Sequence, residues 1–409
     1  MLSKLLSITA VIGLTVTATI AQDTAPYFPN NWTWKNASIY PPLFDSTGAW
    51  AKAPTNTSLV QEWMKLVNWT GVPNATINKL DANGNLIDPY ANAANPYCDW
   101  SFDGVCTRPA DVVNCPQKGV WGLTFDDGPT AAGAALYDYL ASIKQKASLF
   151  YIGLMVAQYP QNAKRACDDG HHISIHTWSH QVLTTLTNIE IVAELKYTEM
   201  IIKEVCGVTP RYFRPPTGDI DDRVRYIAAQ LGYTPIMWDL DTNDWTNGAP
   251  GGVTAAQEDA NFTIWTSAAQ LANDTHGHIT LQHELTNFTV NEAIKNIPIL
   301  KKVYNVMPVA SCIGETHPYL ENIVYPVIQP NGSVAVPANA TNSTTSSIPP
   351  VAPTTANVGS ASAAVVAESI VPSASSAAYS VGSSADRSVV VSAALGVVVG
   401  VIALLANTL

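Results

Sequence analysis

The sequence predicts an α/β fold built on a parallel sheet, on three observations. Between residues 118 and 313, short apolar runs alternate with helical patterns, the signature of parallel strands joined by crossover helices. About seven such repeats fall within about 195 residues, which favours a barrel over an open sheet. On both sides the texture changes. Residues 22–117 are rich in Asn, Pro, Trp and Tyr with no sustained period, and past Pro326 the chain becomes rich in Pro, Ser, Thr and Ala.

In chain order, residues 1–21 carry Lys4, an apolar run and the small-residue end Thr19-Ile20-Ala21, the pattern of a secretory signal peptide. Residues 22–117 read as an irregular N-terminal extension packed on the main domain, with one amphipathic helical stretch at 58–69. The domain proper, 118–313, holds candidate strands at 120–125, 147–152, 172–175, 212–214, 234–238, 279–283 and 306–310. Helical patterns over 131–145, 189–205 and 223–231 lie between them. Residues 314–388 can bury little and read as a disordered, glycosylated stalk. The tail, 389–409, is apolar and uncharged and follows a polar spacer. Small residues, spacer and tail form the pattern of a glycolipid (GPI) anchor signal, with Ser375, Ser376 and Ser383 as attachment candidates. A single-span membrane anchor is the other reading. No basic cluster follows the tail to favour it.

Secretion has independent support. Asn-x-Ser/Thr sequons occur at Asn31, Asn36, Asn56, Asn68, Asn74, Asn261, Asn273, Asn287, Asn331, Asn339 and Asn342. Cys98, Cys106, Cys115, Cys167, Cys206 and Cys312 make an even count, which in a secreted chain suggests disulfides. The expected pairing joins Cys167 to Cys206 and ties Cys312 back to the segment between Cys98 and Cys115. A net charge of -11 argues against a nucleic-acid partner and suits a neutral or cationic substrate.

The chemistry concentrates at strand ends. Thr124-Phe125-Asp126-Asp127-Gly128-Pro129 closes the first strand with two adjacent carboxylates. Such neighbours ionise together only beside positive charge, so a metal ion is expected, with one carboxylate as ligand and the other free for proton transfer. A helix N-cap or an Asp-rich turn would also use these residues. His176-Thr177-Trp178-Ser179-His180 follows another strand. Histidines four apart lie on one face of a helix, where they share an ion or simply face solvent. With an aspartate they complete a two-His, one-carboxylate set. His171 and His172, just before, belong at the start of the strand and away from the ion. Arg214-Pro215-Pro216-Thr217-Gly218-Asp219 is a rigid turn whose Arg can hold a carboxylate. Asp241-Thr242-Asn243-Asp244-Trp245 is a polar loop ending in an aromatic, and His283 ends an apolar strand. Each of these three alone also fits an ordinary turn, cap or structural histidine.

Together and in this order, the segments resemble the five motifs of the NodB-like polysaccharide deacetylases, the family-four carbohydrate esterases. The resemblance covers roughly residues 118–313. It implies a distorted (β/α) barrel with fewer than eight strands, and metal-dependent deacetylation of amino sugars or, in some members, of O-acetylated xylan. It assigns Asp127, His176 and His180 to one divalent ion, Zn2+ or Co2+. Asp126 becomes the base and His283 the acid. Arg214 orients Asp126, Asp244 supports His283, and the Thr217 N–H joins the metal at the oxyanion. Trp245, Leu281 and Pro216 wall the substrate site. Many members carry Tyr where this chain has Thr217, so an aromatic wall is lost while the backbone donor survives. The expected reaction is removal of acetyl groups from chitin or its oligomers at the plasma membrane, by a monomer held on a lipid anchor. An acetylxylan esterase or a silent wall glycoprotein are the alternatives.

Overall fold

The computed structural model describes residues 32–91, 93–102, 105–328 and 334–335. In the extension, the predicted stretch splits into helix α1 (Ser58–Met64) and a separate 3-10 turn, Trp69–Gly71. Thr57 caps α1 by accepting the Val60 N–H at 3.3 Å. Strands β1 (Lys79–Leu80) and β2 (Leu86–Ile87) form an antiparallel hairpin. The rest is irregular but anchored, since Tyr40, Leu43, Val60 and Trp100 are buried in the main core.

The apolar run from Val120 forms two strands rather than the single one expected: β3 (Val120–Gly122) and β4 (Thr124–Gly128). Leu123 is where the chain changes neighbours. Its N–H donates to Met307 O at 2.9 Å on one side, and its carbonyl accepts the Ser148 N–H at 2.9 Å on the other. There follow α2 (Gly133–Ser142), β5 (Ser148–Tyr151), α3 (Gly153–Gln158), α4 (Pro160–Asp168) and β6 (His172–Ile175). Next come α5 (Asn188–Cys206), β7 (Tyr212–Phe213), α6 (Asp222–Gln230), β8 (Thr234–Pro235) and β9 (Leu240–Asp241). Helices α7 (Ala255–Trp265) and α8 (Ala268–Asn273) precede β10 (His278–Leu281), α9 (Asn287–Leu300), β11 (Asn305–Met307) and α10 (Val309–Cys312).

Two parallel sheets result, ordered β4-β5-β6-β7-β8 and β11-β3-β10-β9. The continuous 120–128 segment joins them. So does a parallel bridge between Asp126 and His283, in which Asp126 N–H donates to Gln282 O at 2.9 Å. This is the distorted parallel barrel expected, with nine strands among the described residues rather than about seven, because the first strand divides and β9 is added. Because every strand runs the same way, their C-terminal ends share one rim. Helix α5 shows how the packing is specified. Glu190 accepts the Thr187 N–H at 2.8 Å to start it, Gly207 ends it at φ 77°, and Ile191, Leu195, Ile202 and Val205 bury its inner face.

Three further expectations are corrected. Residues 306–310 are not one strand: β11 stops at Met307 and α10 begins at Val309. Residues 176–180 are not helical. Thr177 and His180 have left-handed φ values of 64° and 54°. The Thr177 and Trp178 carbonyls accept from Gly153 and Leu154 at the start of α3, at 3.0 Å each, so they serve another helix instead of propagating their own. The packed domain also continues beyond residue 313. Tyr319 and Tyr325 are buried, and Tyr319 Oη accepts the Ile173 N–H at 2.9 Å.

Disulfides join Cys98 to Cys106, Cys167 to Cys206 and Cys115 to Cys312, the last across 197 residues. Of the sequons, Asn36, Asn56, Asn68, Asn74, Asn273 and Asn287 are exposed and Asn261 is half-buried. Asn31, Asn331, Asn339, Asn342, Ser375, Ser376, Ser383, the leader and the tail lie outside the described residues. Among the described residues, no helix is long and apolar enough to cross a membrane.

Candidate active site

At the shared rim the chain leaves regular geometry repeatedly. Asp127, Thr177, His180, Thr217 and Asn243 all adopt left-handed φ, between 53° and 69°. Non-glycine residues hold this conformation only where their surroundings enforce it, and such residues cluster at functional sites. Gly128 shows how tight the enforcement is. A Cβ there would lie 1.8 Å from Glu284 Oε1, so only glycine lets the Asp127 turn sit against that carboxyl.

The structure brings Asp127, His176 and His180 together. One ligand atom from each lies within 4.8 Å of the others. Asp127 Oδ1 is 3.4 Å from His176 Nε2 and 3.3 Å from His180 Nε2. Asp127 Oδ1 is buried and has no hydrogen-bond partner. His176 Nδ1 donates to Arg214 O at 2.8 Å, which leaves Nε2 with its lone pair toward Asp127. An orphaned carboxylate oxygen and an imidazole preset by its far nitrogen fit a divalent first-row ion. Burial alone would raise the Asp127 carboxyl, but His180, His176 and His283 hold it well below the usual carboxylate range. Burial also lowers His180, to about 4, against the pull of Asp127.

Asp126 Oδ2 lies 3.7 Å from His176 Nε2, but its Oδ1 is held by a brace outside the cluster. Arg214 Nη1 donates to its Oδ1 at 2.6 Å and to Thr124 Oγ1 at 2.9 Å. The guanidinium is fully buried, and Ile236 O accepts from its Nε and Met237 O from its Nη2, at 3.0 Å each. Its carbon lies 4.0 Å from the Phe150 ring centroid. A buried charge so fully paired is a rigid brace rather than a mobile counterion.

His283 stands on the other side, bridged to Asp126 through the backbone. Its Nδ1 donates to Asp244 Oδ1 at 2.6 Å, and its N–H donates to Asp244 Oδ2 at 2.9 Å. Burial would lower the imidazole, but Asp244, then Asp127 and Asp126, raise it to about 10, so it carries a proton at neutral pH. Leu281 and Pro216 are buried, Trp245 is half-buried, and Thr217 is exposed at the tip of its turn. His172 is buried at the start of β6, with Nδ1 2.8 Å from Ser148 Oγ, away from the cluster.

Several supporting residues escaped the sequence reading. Trp100, from the extension, lies where a Cβ on Gly218 would be, 2.7 Å from its Nε1, and so backs the Thr217 turn. Tyr40 stacks on Trp178 with centroids 6.2 Å apart. Glu194 accepts from Ser179 N–H at 2.8 Å and Oγ at 2.7 Å, fixing the loop between the two histidines. Buried Glu284 accepts from Tyr137 Oη, and burial raises its carboxyl to about 8. The one available signal was an acid inside the apolar stretch of α5, at Glu194.

Residues 113–236 match the family model for polysaccharide deacetylase. The chain is 42% identical over 315 residues to a chitin deacetylase of Amylomyces rouxii, covering 74% of this chain and 72% of that one. It is 40% identical over 275 residues to chitin deacetylase 1 of Cryptococcus neoformans, covering 64% of this chain and 57% of that relative. Against the solved chitin deacetylase of Colletotrichum lindemuthianum, the TM-score is 0.47 at 28% identity, over 51% of this chain and 94% of that one.

Proposed function

Because this chain belongs to the polysaccharide deacetylase family, we propose that it hydrolyses N-acetyl groups on the N-acetylglucosamine residues of chitin, giving chitosan and acetate. The observation that carries the reading is the division of the carboxylate pair. Asp127 Oδ1 stands unpartnered between two imidazoles, while Asp126 is braced by Arg214 at 2.6 Å.

Asp127, His176 and His180 would hold one divalent ion, and Zn2+ and Co2+ both suit two imidazoles with a carboxylate. When bound, such an ion supplies Lewis-acid polarisation of the acyl group and acidifies water. The protein's own part is proton traffic and orientation. Asp126 takes a proton from the attacking water as its oxygen bonds to the acetyl carbon. The Thr217 N–H donates to the acyl oxygen as that atom gains charge. His283 gives its proton to the sugar nitrogen as the C–N bond breaks, which turns a poor amide leaving group into an amine. Asp244 keeps that proton in place beforehand. Trp245, Leu281 and Pro216 wall the acetyl methyl.

The enzyme acts at the cell surface. The leader at 1–21 and the exposed sequons support export, and the apolar tail at 389–409 supports a lipid anchor. The test is acetate release by purified protein, supplied with Zn2+ or Co2+, from N-acetylglucosamine oligomers and from acetylated xylan. Release from the oligomers is expected. Release from xylan alone would overturn the substrate.

A further inference from the structure

A second group of the same residue types lies at the opposite end of the barrel. Asp239 precedes β9, and His276 and His278 stand at the start of β10, so all three face the rim where strands begin. One potential ligand atom from each lies within 4.8 Å of the others. Asp274, two residues before His276, places Oδ1 3.2 Å from His278 Nε2. In the order Asp274-x-His276-x-His278, three donor side chains lie within five residues at a bend that leads into β10.

Two observations go beyond a cluster of charges. His276 Nδ1 donates to Gly277 O at 2.7 Å, which leaves Nε2 as a lone-pair donor. His176 at the catalytic rim is preset in the same way, through Arg214 O. His278 is 5% exposed, and its Nε2 lies 3.2 Å from Asp274 Oδ1, which sets the ring from its far side. Its Nδ1 donates to Asp239 Oδ2 at 2.6 Å. The other oxygens are anchored: Asp239 Oδ1 accepts the Ile279 N–H at 2.7 Å, and Asp274 Oδ2 accepts Tyr304 Oη at 2.9 Å. The carboxylates are therefore fixed, while His276, with a 38% exposed side chain, leaves the cluster open to solvent.

We propose that Asp239, His276 and His278, supported by Asp274, form a second divalent-metal site, for a first-row ion such as Zn2+ or Ni2+, on the barrel end opposite the catalytic centre. Two imidazoles and carboxylates select this class over Mg2+ or Ca2+. The ion replaces the proton now shared by His278 and Asp239, which leaves as H+. It ties the entry of β9 to the entry of β10, beside the Cys115–Cys312 disulfide, where Cys115 O accepts the Gly277 N–H at 2.8 Å. Its role is to hold that end of the barrel together, and it takes no part in deacetylation.

The test counts metal. Glycosylated protein made without a polyhistidine tag is stripped with a chelator, equilibrated with Zn2+ and measured by atomic emission. His276→Ala is expected to bind one equivalent fewer than wild type and to keep its turnover of N-acetylglucosamine oligomers. The His176→Ala/His180→Ala variant is expected to keep one equivalent, and its melting temperature to rise on adding Zn2+. Equal metal content in wild type and His276→Ala would overturn the proposal, whatever the catalytic rim binds. So would a His176→Ala/His180→Ala protein whose melting temperature ignores Zn2+.

Discussion

The two ends of the barrel hold the same residue types in opposite states. At the strand beginnings, Asp239 places both oxygens on protein donors, Ile279 N–H and His278 Nδ1. At the strand ends, Asp127 Oδ1 has no hydrogen-bond donor and faces two imidazole nitrogens at 3.3–3.4 Å. The backbones differ as well. Five rim residues at the strand ends are left-handed, whereas none of Asp239, Asp274, His276 and His278 is. Each left-handed residue costs of order 1–3 kcal/mol. Aspartate and histidine therefore do not make a reactive centre by proximity. They do so where the backbone is forced to present them with lone pairs unused, and where braces such as Arg214 and Glu194 offset the strain.

Substitutions should separate the two ends. The largest effect is expected at the cluster with unpaired atoms. His180→Ala should lose the catalytic ion, and acetate release should fall to background; retained turnover would sink the assignment. His283→Ala removes the proposed acid and should lower kcat by about 10²–10⁴-fold. Asp244→Asn should cost less, about 10–100-fold, because it acts through His283. It should also move the alkaline limb of the kcat profile. His283 is held at about 10, so the wild-type limb should fall only as pH rises toward that value, whereas the variant should lose its acid form at lower pH. An unmoved limb in Asp244→Asn would show that another group donates the proton. The same pair makes a stability contribution, complete below the ordinary histidine value of 6.5 and lost as pH rises through about 10.

Smaller, purely structural effects should mark the braces. Trp100→Ala removes a buried ring beneath the Thr217 turn and should destabilise by about 3–5 kcal/mol in a denaturant melt. A protein of wild-type stability would mean that the extension is not part of the catalytic unit. Gly128→Ala drives a methyl into Glu284 and should destabilise by about 1–3 kcal/mol, with kcat falling as Asp127 is displaced.

Much of this was legible in the chain because parallel strands place their polar C-terminal residues on one rim. Asp126-Asp127, Arg214, Asp244 and His283 belong to four strand ends that the chain itself marks. What escaped has a common cause. The His176–His180 spacing mimics a helix, but its carbonyls are taken by α3, a contact between distant segments that no local pattern encodes. Tyr40 and Trp100 are ordinary core residues by composition, Glu284 looks like a surface acid, and only their place behind a strained turn gives them a function. The run from Val120 likewise looks like one strand, and it divides at Leu123 because two different sheets compete for that residue.

The division between Asp126 and Asp127 is the centre of the account, and one paired measurement tests it most directly. In a single preparation of Asp126→Asn, metal content and acetate release from N-acetylglucosamine oligomers are read together. Wild-type metal content is predicted, with turnover reduced by about 10²–10⁴-fold. Full turnover, or loss of the ion along with it, would contradict the separation of base from ligand.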